Sequence, residues 1–158
     1  MTGMEFYTNG HIVSEADSMR QKLGDLAKQY DATSAIIITD AGISDLGYVD
    51  IAQESLEQAG INVVIFDRVV ADPPIEVVEE AIELARANQC NLVIGLGGGS
   101  PIDTAKIVAL YPNDFQSVNE LLEADISGFK KMPLFAIPTT AGTGAEATFV
   151  SVITAKDG

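Results

Sequence analysis

Apolar positions along the chain alternate between two periods. Ala35–Thr39 (AIIIT), Asn62–Phe66 and Leu92–Gly95 are short runs rich in β-branched residues, each closed by small or turn residues. Such runs read as strands buried on both faces. Longer stretches of helical period lie between them. An amphipathic stretch from Ser14 to Tyr30 precedes the first strand, and a helix is predicted from about Leu46 to Ala59, with Val49, Ala52, Leu56 and Ala59 on one face and Gly60 as its stop. Asp72 is predicted as an N-cap with Pro73 at the first helical position, followed by the stripe Ile75, Val78, Ile82 and Ala85. Pro101 is expected to open a helix through Leu110, and Ser117–Glu123 to form a short one. Strands are then predicted at Leu134–Ile137 and Phe149–Thr154, with a loop through Thr148 between them. Continuous apolar strands alternating with helices predict an α/β domain, a doubly wound and mainly parallel sheet with helices on both faces. Ligands bind such sheets beyond the carboxyl ends of the strands, where the winding reverses.

The chain has 158 residues and no repeat or linker, so the pattern describes one domain. Its charge narrows the ligands: nine Lys and Arg against 23 Asp and Glu leave a formal net charge of −14. Nucleic acid and acidic membrane surfaces are repelled by such a chain. An anionic ligand must therefore be gripped locally, by backbone N–H groups and helix ends. Cys90 is the only cysteine and is expected in the core, and no Cys/His spacing resembles a zinc site. His11 is the only histidine and reads as a surface or interface residue. No apolar run approaches the roughly 18 residues of a membrane span, and Met1–Gly10 lacks the regions of a signal peptide. A soluble cytoplasmic protein is expected.

Two dense segments directly follow predicted strands. Gly97-Gly98-Gly99-Ser100 precedes a predicted helix start, where glycines permit close approach to a ligand and free N–H groups attract an anion. It reads as a phosphate or pyrophosphate cradle, or as a tight turn with Ser100 as N-cap and Asp103 completing a capping box. Asp103 also suits a place near a sugar, nicotinamide or substrate, and Lys106, one turn later, suits pairing with it. The second segment, Pro138 to Thr148, carries four threonines and two glycines, hydroxyls and N–H groups without positive charge. Asp40 ends the first strand, where a carboxylate either accepts from ribose hydroxyls or caps a turn.

The run Gly97-Gly98-Gly99-Ser100-Pro101-Ile102-Asp103-Thr104-Ala105-Lys106 resembles the GGGSxxDxAK motif of the iron-containing (group III) alcohol dehydrogenases. Pro138-Thr139-Thr140-Ala141-Gly142-Thr143-Gly144-Ala145-Glu146-Ala147-Thr148 is similar to that family's PTTAGTGSEVT segment, with Ala145 where serine is common. The resemblance implies a Rossmann-like NAD domain over residues 1–158. It implies Asp40, Gly97, Gly98, Gly99, Ser100, Asp103, Thr139, Thr140 and Thr143 as cofactor contacts, with Asp72 a further one. It also implies self-association, with a strand near Glu5–Thr8 pairing across a dimer. The family's divalent metal, iron or zinc, is held by an Asp and three His in a following helical domain that this chain does not reach. The resemblance thus implies the cofactor half of an enzyme moving hydride between NAD and a primary alcohol or diol, or its aldehyde. By itself such a half orients the cofactor and turns over no alcohol. The alternative is a stand-alone nucleotide-binding or assembly module without catalysis.

Overall fold

Five consecutive buried residues, Ser34–Ile38, form β1, and their alternation explains the architecture of the whole sheet. Successive side chains of a strand point to opposite faces. Ala35 and Ile37 enter one apolar core and Ile36 and Ile38 the other, so β1 must be covered on both sides. The computed structural model describes residues 11–111, 117–125, 128–148 and 151–154.

The sheet is parallel throughout, in the order β2-β1-β3-β4, with β2 at Asn62–Phe66, β3 at Leu92–Gly97 and β4 at Leu134–Pro138. Helix α1 (Ser18–Gln29) and helix α3 (Tyr48–Gln58) cover one face, where Leu23, Ala27, Val49, Ala52 and Leu56 pack on Ala35, Ile37, Leu92, Ile94 and Leu96. The other face carries α4 (Ile75–Ala87), α5 (Gly99–Val108) and α6 (Val118–Glu123). There Val78, Ala81, Ile82, Ala85, Ala105 and Val108 meet Ile36, Ile38 and Val93. The predicted doubly wound α/β fold is what forms. The chain winds outward from β1 to β2, then returns past β1 to β3 and β4. Winding therefore reverses between β1 and β3, and a crevice opens beyond their carboxyl ends.

Several predicted boundaries shift for local reasons. The helix expected from about Leu46 to Ala59 forms as α3, and a short helix not expected, α2 (Ala41–Asp45), starts on Asp40 before it, with Gly47, at φ 79°, breaking the chain between the two. Asp72 does not cap α4. It sits at φ 49° in a bend, and Pro74 is the N-cap, so Pro73 lies outside the helix. Thr154 accounts for the bend, because its N–H donates to Pro73 O at 3.0 Å and its Oγ1 to Asp72 O at 3.2 Å. Ser100 is not an N-cap either, since α5 already begins at Gly99 with Gly98 as its cap. The strand predicted at Phe149–Thr154 is replaced, over its described residues, by an isolated parallel bridge between Thr154 and Pro74. The strand expected near Glu5–Thr8 lies outside the described residues.

Candidate functional site

The crevice is built where three strand ends meet. At the end of β1, Asp40 accepts the Ile43 N–H on Oδ1 at 3.0 Å, capping α2 in the predicted Asx manner. Its second oxygen remains, and it points to the neighbouring strand end: Oδ2 lies 3.4 Å from where a Cβ on Gly97 would stand. Capping thus occupies one oxygen of the half-buried carboxylate and leaves the other beside the Gly97 strand end.

β3 runs into the glycine turn without a break. Gly97 adopts φ 147°, a region that L side chains rarely enter, and a Cβ there would meet Pro101 Cγ at 2.9 Å. Gly98 then caps α5 and has no side chain to bond the first N–H groups of this ten-residue helix. Those donors and the positive helix end face the crevice and suit an anion such as a pyrophosphate. Inside β3, Gly95 brings α5 close: a Cβ would stand 2.9 Å from Ala105 Cβ and 3.1 Å from Ile102 Cα.

The threonine segment closes over this turn. Thr139 N–H donates to Gly97 O at 2.9 Å, extending the β3–β4 register past Gly97 and Pro138. Thr140 Oγ1 lies 2.9 Å from the Cβ position of Gly98, and Thr143 Cβ and Cγ2 3.8 Å from that of Gly99. All three threonines are exposed. Ala145 is buried in the 3-10 turn Ala145–Ala147, and its N–H donates to Thr143 Oγ1 at 3.4 Å.

Asp103 is placed differently from the capping reading. It is the fifth residue of α5 and only 7% exposed. Lys106 Nζ donates to its Oδ1 at 3.0 Å and Val152 N–H to its Oδ2 at 3.0 Å, while the same ammonium donates to Thr148 Oγ1 at 3.1 Å. Asp72 is exposed in the bend before α4, at the same edge of the sheet. The structure thus brings together Asp40, Gly97–Ser100, Thr139, Thr140 and Thr143, and ties Asp103 to the segment after the threonines. The roles of Gly95 and Thr148 escaped the sequence reading, although a glycine within an apolar strand is a known sign of close approach.

Away from the crevice, burial pushes the Cys90 thiol up, against a lowering by Ser34 Oγ at 3.6 Å. Burial likewise raises Tyr111, whose hydroxyl donates to Cys90 O at 2.7 Å. Both belong to packing. Among the described residues no three of His, Cys, Asp and Glu come together as a metal site, and no helix is long and apolar enough to cross a membrane.

The family model described as "Iron-containing alcohol dehydrogenase" matches residues 9–158. Among curated proteins, choline dehydrogenase of Bacillus subtilis is 42% identical over 130 residues, 79% of this chain and 32% of that protein. NAD-dependent methanol dehydrogenase of Bacillus methanolicus is 34% identical over 140 residues, 85% of this chain and 35% of that protein. An iron-containing alcohol dehydrogenase structure from Thermotoga maritima superposes with TM-score 0.85 at 30% identity, covering 96% of this chain and 42% of that one. The chain spans about a third of the length of the curated relatives it matches.

Proposed function

The chain belongs to the iron-containing alcohol dehydrogenase family, and from that premise we propose that residues 1–158 form the NAD(H)-binding domain of such an enzyme. The observation that carries the reading is the meeting, at the reversal of winding, of a carboxylate oxygen, a helix start with no side-chain cap and a row of exposed threonines. Each part fits one piece of a dinucleotide. N–H groups of Gly98, Gly99 and Ser100 hold the pyrophosphate, and Gly97 lets the turn form. Asp40 Oδ2 accepts from the adenosine ribose hydroxyls, where a 2′-phosphate would meet a like charge. Thr139, Thr140 and Thr143 line the cofactor, and Asp72 lies toward its outer end. Bound NAD supplies the hydride acceptor or donor, and this chain's residues hold and orient it.

The substrate class follows the names of relatives: methanol, choline and lactaldehyde are small alcohols or aldehydes, and one neighbouring structure is an NADH-dependent butanol dehydrogenase. A primary alcohol or diol and its aldehyde form the proposed pair. The family description names iron and gives zinc no support. The described residues do not form a metal site, so no step here runs through the metal. Self-association into a homo-oligomer is part of the proposal, read out by the mass in solution.

Titration of the protein with NAD and NADP by isothermal calorimetry tests the site. NAD is expected to bind more tightly, and Asp40→Asn to narrow the difference while retaining an oxygen that caps Ile43. NADP binding as tight as NAD in the unaltered protein removes the ribose role from Asp40.

A further inference from the structure

Both oxygens of the buried Asp103 carboxylate are committed within the chain, Oδ1 to Lys106 Nζ and Oδ2 to the Val152 N–H. The ion pair is well enclosed, its side chains 15% and 10% exposed, so neither partner is free to swing toward a ligand without leaving the other charge buried. What the pair does hold is the chain beyond the threonines, through the Val152 backbone N–H and the Thr148 hydroxyl. The threonine segment leaves β4 at Thr139, pinned to Gly97 O, seats the buried Ala145 of its 3-10 turn against α5, and is then gripped at Thr148 by Lys106 and at Val152 by Asp103. Between these pins lie Thr140 and Thr143, the residues that close over Gly98 and Gly99.

We infer that Asp103 and Lys106 act as positioning residues, a buried clamp that holds the 139–148 loop against the glycine turn in the shape that grips the cofactor. The inference rests on the NAD reading above for its consequence, though not for its geometry. It also accounts for a carboxylate beside an anion site: the ammonium neutralises it, so the pyrophosphate faces no bare negative charge. Thr154, bonded to Pro73 O, anchors the chain beyond the clamp, so loss of the clamp frees the loop and leaves the sheet intact.

The test combines hydrogen exchange over residues 139–154 with NAD titration for the unaltered protein, Asp103→Ala, Lys106→Met, the double variant and Lys106→Arg. Both single variants are expected to raise exchange across 139–148 and to weaken NAD binding by about tenfold. The double variant should be no worse than either single, since one clamp is lost in each, and Lys106→Arg should recover most of both effects. The Val152 amide should lose protection in Asp103→Ala and keep it in Lys106→Met. Thr148→Val, at an exposed position, removes one contact of the clamp and serves if a buried variant fails to fold; its exchange should rise to an intermediate level. Weakened NAD binding with unchanged loop exchange in Asp103→Ala would show Asp103 to be a ligand and overturn the inference, as would unchanged exchange in every variant. Should the unaltered protein bind no NAD, the cofactor reading falls, and the exchange comparison alone still decides the clamp.

Discussion

A methyl group added at Gly98 would stand 2.9 Å from Thr140 Oγ1, and one added at Gly97 2.9 Å from Pro101 Cγ. The distances are equal, yet the consequences differ because the neighbours differ. Thr140 is the end of a short exposed side chain and moves aside, taking its hydroxyl out of the crevice. Pro101 is a buried ring in the first turn of α5 and cannot move, and Gly97 is further held at φ 147°. Gly97→Ala is therefore expected to lower stability by about 1–3 kcal/mol, read as a fall in the urea midpoint. Gly98→Ala should leave that midpoint within about 0.5 kcal/mol and weaken NAD binding instead. If the two variants show the same pattern, the division of labour between structure and ligand along the turn is wrong. At this scale the motif residues were legible because their types are unusual: three successive glycines and clustered threonines have few bland explanations. Lys106 was legible as the partner of Asp103 one turn away, but Val152 on Asp103 and Thr148 on Lys106 were not, because they lie more than 40 residues away and no local rule joins them to α5.

Helix α1 reaches the sheet only by lying close on α3. Gly24 faces Ser55 so tightly that an added Cβ would run into the Ser55 carbonyl oxygen, and it would stand 2.7 Å from Ala59 Cβ. The Ser55 hydroxyl completes the contact, accepting from Gly24 N–H at 3.2 Å and donating to Arg20 O at 3.0 Å. Because the clash is with backbone, α1 must retreat as a body, and Gly24→Ala is expected to destabilise by about 1–3 kcal/mol despite the better helix propensity of alanine. A denaturation midpoint equal to or above that of the unaltered chain would refute the close contact. Among the elements, strands and apolar helical stripes were readable from periodicity, since burial on both faces and on one stripe leave different patterns. Element ends were not. The break at Gly47 and the late start of α4 depend on a left-handed Gly47 and on Thr154 drawing Pro73 into a bridge, both decided by what the chain meets in space.

The whole molecule carries a formal charge of −14 and is proposed to hold an anionic cofactor, two demands that pull against each other. The resolution proposed lies in where the positive potential comes from. The described cation nearest the threonine loop in the bonding network, Lys106, is engaged by Asp103, and Arg68, beyond the end of β2, is paired with Glu80 at 3.2 Å. The grip is left to helix N–H groups and hydroxyls, short-ranged dipoles that salt hardly screens, while the repulsion is the long-ranged sum of surface carboxylates. Salt shortens the reach of that sum from about 30 Å at 0.01 M to about 8 Å at physiological ionic strength. NAD affinity is therefore expected to rise over this interval, by less than about tenfold, and then level off. Calorimetric titration at stepped sodium chloride concentrations measures it directly. A steep fall in affinity with salt would mean that lysine or arginine side chains carry the phosphates, and the assignment of the pyrophosphate to the turn at Gly97–Ser100 would have to be withdrawn.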